Sequence, residues 1–373
     1  MLLKRIKVLD LSNLLPGPMC SLFLADLGAE VIKVESLNGD PMRRFEMVGK
    51  ISPYFLALNR NKKSIALNLK TAEGKNIFMK LAKNADVVIE GFRPEKVDVL
   101  GVGYNDIVKV NSKIVYCSIT GYGQKSAYKN KAGHDLNYSA LSGVLDLISK
   151  KPFVPGVQMA DIGSGLIAAF SIVSALLHRE KTGKGNYIDI SVLDSTLSLI
   201  GMHLAYRSAS KSRNTILSGS KACYNVYETK DNKFVSIGAI ESKFWRSFCN
   251  AAGRSDLIEK QFDSNTNTIK ELQDLFKSKT LEEWLDLNSK HDFCCEPVKK
   301  IEDVLKENYF KSRKMLIHLD GVAQVAMPAV FSIFKKFNYK KYPKLGQDTK
   351  NILKHIGYNE KMIKQLKIDN IIL

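Results

Sequence analysis

The sequence has none of the short signatures that tie a chain to a dinucleotide, a nucleoside triphosphate or a metal. No G-x-G-x-x-G follows its first strand and no G-x-x-x-x-G-K-[ST] occurs anywhere, so NAD and ATP are poor candidates. Gly101-Val102-Gly103 lacks the third glycine and does not open a helix after a strand. The six cysteines (Cys20, Cys117, Cys223, Cys249, Cys294, Cys295) contain no C-x-x-C, and the one vicinal pair suits neither a zinc site nor a disulfide framework. They read as reduced packing residues, and chemistry without metal is expected. No apolar run approaches the roughly 20 residues that span a bilayer. Neither terminus carries a secretory, retention or peroxisomal signal, so the expected compartment is the cytoplasm, with no membrane partner.

Arginine-rich arms and basic runs interleaved with aromatics are missing too. The net charge of +18 is dispersed lysine, which argues against nucleic acid as a partner. A lysine-rich coding bias accounts for much of it, and a basic cleft would also draw a polyanionic small molecule. What is present is ample apolar material: 373 residues, 45% of them hydrophobic, are enough for two cores.

The pattern along the chain is α/β. Ile6 to Leu11 alternates as a strand, Leu15-Pro16-Gly17-Pro18 breaks it, and an apolar run to Leu27 reads as a helix stopped by Gly28. Ala29 to Glu35, Ser64 to Leu69, Asp86 to Ile89, Ile114 to Ile119 and Tyr187 to Val192 continue as strands, with a helix over Ala72 to Lys83. Strands alternating with helices predict a mostly parallel sheet covered on both faces, a Rossmann-like architecture. Residues 1–200 form the first part of this large domain, and 201–222 a polar linker. Residues 223–318 are a smaller α+β domain, and 319–373 return to complete the large one. In the small domain a hairpin turns at Lys230-Asp231-Asn232-Lys233, and helices follow over Lys243 to Ala252, Thr268 to Ser278, Leu281 to Ser289 and Cys294 to Val304.

Two proton carriers stand just ahead of apolar helical runs near the middle of the chain, His134 in Gly133-His134-Asp135-Leu136-Asn137-Tyr138 and Asp161 in Ala160-Asp161-Ile162-Gly163-Ser164-Gly165. Each has a plain reading: an exposed histidine, and an aspartate serving as a helix N-cap. Gly163 and Gly165 cost the first turn of that helix roughly 1 kcal/mol each against alanine, an expense that fits close approach of a ligand to the backbone. An oxyanion there would meet the positive end of the helix. A base on one side of a carbon next to a carbonyl and an acid on the other are the parts needed to invert that carbon through a planar enolate. Glu241 after its strand either orients an imidazole or is a solvated strand end. Arg93 in Glu90-Gly91-Phe92-Arg93-Pro94 either reaches a phosphate or lies on the surface.

Taken together, these stretches resemble the family III CoA-transferase superfamily, and within it the α-methylacyl-CoA racemases. The markers are Leu15-Pro16-Gly17-Pro18, Asn59-Arg60-Asn61-Lys62-Lys63-Ser64 leading to Leu67-Asn68-Leu69-Lys70, Glu90-Gly91-Phe92-Arg93-Pro94, and Gly133-His134-Asp135-Leu136-Asn137-Tyr138. They continue with Ala160-Asp161, His178-Arg179-Glu180-Lys181-Thr182-Gly183-Lys184-Gly185, Gly238-Ala239-Ile240-Glu241 and Leu345-Gly346. The resemblance implies an interlocked homodimer and an acyl-CoA substrate, with CoA counted as substrate and no further cofactor. CoA would lie near the segments holding Arg60, Lys63, Lys70, Phe92 and Arg93. The implied activity is interconversion of R and S 2-methylacyl-CoA thioesters, with His134 and Asp161 as the two acid/base groups, Glu241 supporting the histidine, and N–H groups near Asp161 holding the enolate. In the transferase branch an aspartate at the position of Asp161 is instead a nucleophile that becomes acylated while CoA moves between carboxylic acids. Transferases of the oxalate type carry a glycine-rich loop that is not visible between Ser208 and Phe244, and generally lack the histidine. The chain departs from the family at Ser36, Glu95 and Val99, which bears on the nucleotide end of CoA rather than on the chemistry.

Overall fold

The structure, a computed structural model, describes residues 1–149, 151–210, 215–333 and 337–373. The chain forms two compact units, Met1–Ile200 with Ser312–Leu373, and Gly201–Lys311.

The first unit is built on a six-stranded parallel sheet of β1 (Lys7–Asp10), β2 (Glu30–Glu35), β3 (Lys63–Ala66), β4 (Val87–Glu90), β5 (Val115–Thr120) and β6 (Asn186–Ser191), in the order β3-β2-β1-β4-β5-β6. Successive strand residues point to opposite faces, and here both faces are dry: Leu9, Ile32, Val88 and Tyr116 belong to one core, Val8, Val31, Val87 and Val115 to the other. The helix Ala72–Lys83 covers the first face, its Thr71 cap accepting from the Gly74 N–H. The helices Pro16–Asp26 and Met159–Thr182 cover the second. The Met159–Thr182 helix corrects one sequence expectation. It is long and apolar enough, by length and composition, to cross a bilayer, yet one side of it (Ala168, Ile172, Ala175, Leu176) is packed into the core.

The C-terminal segment closes the β3 edge. Asn68 donates its N–H to Ile371 O (2.9 Å), and Asp348 accepts from the Ser64 N–H (2.9 Å). It re-enters this unit at Ser312, ahead of the boundary read from sequence, because β10 (Leu316–Leu319) and β11 (Val322–Val325) form a hairpin there. Asp320 and Gly321 take left-handed φ values of 53° and 77°, as a two-residue turn between right-twisted strands requires.

The second unit packs the three-stranded antiparallel sheet β7 (Tyr224–Glu228), β8 (Phe234–Gly238) and β9 (Cys295–Pro297) against the helices Ser242–Ala251, Thr266–Lys277 and Leu281–His291. Both tryptophans are here, Trp245 and Trp284, around stacked Phe248 and Phe276 (5.4 Å). Two expectations change. The region expected to be a helix over Cys294 to Val304 is instead strand β9 and a short helix Ile301–Val304, because Asp292 and Cys294 adopt left-handed φ and Pro297 ends the run. The expected linker opens with a helix, Gly201–Ser210; its residues 211–214 lie outside the described residues.

Candidate active site

Strand order reverses between β1 and β4, and in open parallel sheets the crevice at the carboxyl ends beside such a reversal is where ligands bind. The turns leaving those two strands, Ser12–Leu14 and Gly91–Arg93, both line a cavity of about 460 Å³. His134 and Asp161 line this same cavity, with Phe92 and Arg93.

Local chemistry places each group. His134 is the N-cap residue of the helix Asp135–Leu141, its N–H donating to Asn137 Oδ1 (3.0 Å). The turn before it is pinned by Tyr138, whose hydroxyl donates to Gly133 O (2.9 Å) and whose ring meets Tyr122 edge-on. Asp161 lies in the first turn of the Met159–Thr182 helix. The two helix starts are joined by Asp135: its Oδ1 accepts from both the Ala160 N–H (2.8 Å) and the Asp161 N–H (3.0 Å). Asp161 is therefore not itself the cap, as the sequence suggested; a residue from the neighbouring helix does that work. Burial first, and then the Asp135 charge, push the Asp161 carboxyl up to about 7. A carboxyl so poised both gives and takes a proton near neutrality.

Two further expectations are overturned. The N–H groups beside Asp161 do not await an oxyanion, because Asp135 already occupies those of Ala160 and Asp161, and Ile162 donates to Gln158 O (3.0 Å). The glycines serve helix packing. A Cβ on Gly165 would lie 2.7 Å from Pro16 O, and one on Gly163 would meet the Leu199 side chain. In their place, the cavity offers cations that the sequence reading passed over, Lys129 and Lys131. Their signal was the basic stretch Lys125 to Lys131 running into Gly133-His134. Lys129 pairs with Glu95 (2.7 Å), one of the departures noted above, and Val99 is exposed.

The other residues assigned to CoA are elsewhere. The Arg60 guanidinium is buried against Asp26 (2.6 Å), with Gln324 Oε1 beside it and the Tyr339 ring beneath, so its donors are spent inside the fold. Lys63 pairs with Glu30 at the start of β2 and lines a different cavity. Lys70 is exposed just before the Ala72–Lys83 helix. Glu241 belongs to the second unit, exposed at the start of the Ser242–Ala251 helix. Among the described residues, no group of three His, Cys, Asp or Glu side chains is placed to hold a metal.

The fold is thus a doubly covered parallel sheet with an imidazole and a carboxyl lining one cavity at its switch point. Residues 3–349 match CoA-transferase family III, and the chain belongs to that family. It is 35% identical to succinyl-CoA:glutarate CoA-transferase of Mus musculus, over 99% of this chain and 90% of that protein. It is 33% identical to α-methylacyl-CoA racemase of Homo sapiens, over 100% and 98%. A CaiB/BaiF family protein from Brucella suis superposes with a TM-score of 0.83 at 30% identity, covering 94% of this chain and 98% of that one.

Proposed function

We propose that the protein is a 2-methylacyl-CoA racemase, working on free acyl-CoA in the cytoplasm as a homodimer and with no cofactor beyond the CoA of its substrate. The observation that carries this reading is that His134 and Asp161 line one cavity, with the Asp161 carboxyl pushed up to about 7 by burial and the Asp135 charge. One group removes the α-proton, the thioester carbonyl becomes an enolate, and the other group protonates the opposite face. Because the helix N–H groups are engaged and Lys129 is paired with Glu95, the enolate charge falls to the cationic lining of Arg93 and Lys131. Glu241 supports the histidine in this scheme by family resemblance.

A second reading has its own observation. No side chain among the described residues donates a hydrogen bond to the Asp161 carboxylate, which leaves it open as a nucleophile. In a transferase it would attack the thioester, release CoA thiolate and carry the acyl group as an anhydride. The transferase relative quoted above is as similar as the racemase. One experiment separates the two. A single enantiomer of a 2-methylacyl-CoA is incubated in deuterated buffer without any free acid. Deuterium at the α-carbon together with inversion supports the racemase. No exchange, with CoA moving once a free acid is added, replaces it by the transferase.

A further inference from the structure

The second strand of the sheet carries a lysine where a doubly covered strand normally carries an aliphatic residue. Lys33 is fully buried; its Nζ donates to Ser12 O (2.8 Å) and pairs with Asp40 (2.9 Å). Asp10, the last residue of β1 and equally buried, accepts from the Ser12 N–H (3.0 Å) and is paired with Lys62 (3.2 Å). Asp40 Oδ1 accepts from the Leu14 N–H (3.2 Å).

Stability does not account for such a set. Taking ions out of water costs several kcal/mol each, and apolar residues of the same volume are often as stable or more so. These charges instead converge on one short segment. Ser12–Leu14 lines the cavity, and Leu14 holds a φ of +64°, a region that leucine adopts only when its surroundings impose it. Left to itself, that turn would relax.

We propose that Lys33, Asp10 and Asp40 form a positioning clamp that fixes the Ser12–Leu14 turn in the cavity lining in the conformation that receives an acyl-CoA thioester. The clamp rests on the reading that this cavity takes acyl-CoA, and not on which reaction follows. It touches no reacting atom, so it sets affinity and leaves the proton chemistry of Asp161 in place.

The test is the double variant Lys33→Met/Asp40→Asn in the full chain. It removes both charges of the pair, so that neither is left alone in the core, and the asparagine still accepts from Leu14. The control is Arg179→Met/Asp86→Asn, a partly buried pair (3.0 Å) at the far end of the Met159–Thr182 helix. Calorimetric affinity for acetyl-CoA is read beside thermal melting and the pH midpoint of α-proton exchange. The clamp variant is expected to bind about tenfold more weakly, with the control within about twofold of the parent and the pH midpoint unmoved. Parental affinity in the clamp variant, equal weakening in the control, or no acetyl-CoA binding by the parent overturns the clamp. If the methionine variant does not fold, Asp40→Ala, which takes away the acceptor of the Leu14 and Met42 N–H groups and the partner of Lys33, must show the same weakening, and parental affinity there overturns it. A parent that binds acetyl-CoA but neither exchanges nor inverts leaves the clamp standing and removes the racemase reading.

Discussion

Asp161 carries the sharpest consequences at the scale of single residues. Each direction needs one of the pair as free base and the other as protonated acid, and the two rates are tied by an equilibrium constant that does not change with pH, so kcat/KM should bend near pH 7 in the same way for both enantiomers. No bend near 7 in the inversion rate would contradict the role of Asp161. Asp161→Asn should lower inversion by about a thousandfold or more, measured as the appearance of the opposite enantiomer. The same substitution should stabilise the fold at high pH. The folded carboxyl holds its proton up to about 7 against an ordinary value of 3.8, so stability falls as pH rises through that window and the full penalty applies above it. The asparagine variant should therefore match the parent near pH 4 and gain on the order of 1–2 kcal/mol at pH 8, after allowance for solvent screening, by denaturant titration. His134→Ala should keep exchange from one enantiomer only, read by deuterium uptake. Exchange retained from both would clear the imidazole.

At the scale of elements the decisive join is Asp135, which caps one helix from the start of another. Asp135→Asn keeps the acceptor but removes a like charge from Asp161, so the pH midpoint of exchange should move down with little change in melting. Asp135→Ala loses the cap as well and should cost about 1 kcal/mol. The helix pair Pro16–Asp26 and Met159–Thr182 depends on the missing side chain at position 165. Gly165→Ala drives a Cβ against Pro16 O and should cost about 1–3 kcal/mol in denaturant titration. These joins were poorly legible in the sequence. The glycines were visible, but whether they admit a ligand or a neighbouring helix depends on what lies opposite, and nothing in the local spacing says so. The Ala72–Lys83 helix was legible to the residue, since Thr71 caps it and Asn84 ends its periodicity. The Cys294 region was not, because a run of apolar and polar residues too short for a clear period is settled by the strand beside it, here β8.

For the molecule as a whole, the outward face of the Met159–Thr182 helix stands out. Phe170 is 74% and Leu177 60% exposed, with Leu166 and Val173 beside them, on the side away from the core. For the homodimer proposed above, this stripe is the face to test. Phe170→Glu should lower the mass measured by light scattering toward that of one chain, 41.8 kDa. An unchanged dimer would exclude this face as its interface, and a parent monomer would exclude the dimer itself.

What the sequence determined by itself is what repeats locally or is spelled in short motifs. The alternation of strands and helices and the buried parallel sheet followed from residue order, because apolar periodicity and turn chemistry act within a few residues. The tertiary structure alone decided which charges face the cavity and which are spent inside the fold. Arg60 and Lys63 stand in the same marker stretch, yet one is sealed against Asp26 from the Pro16–Asp26 helix and the other pairs with Glu30 on β2. Likewise the N–H groups beside Asp161 were lost to Asp135, some two dozen residues earlier in the chain. A charge finds its partner by distance in space, at ranges where the Coulomb and hydrogen-bond energies are large, and sequence separation does not report that distance.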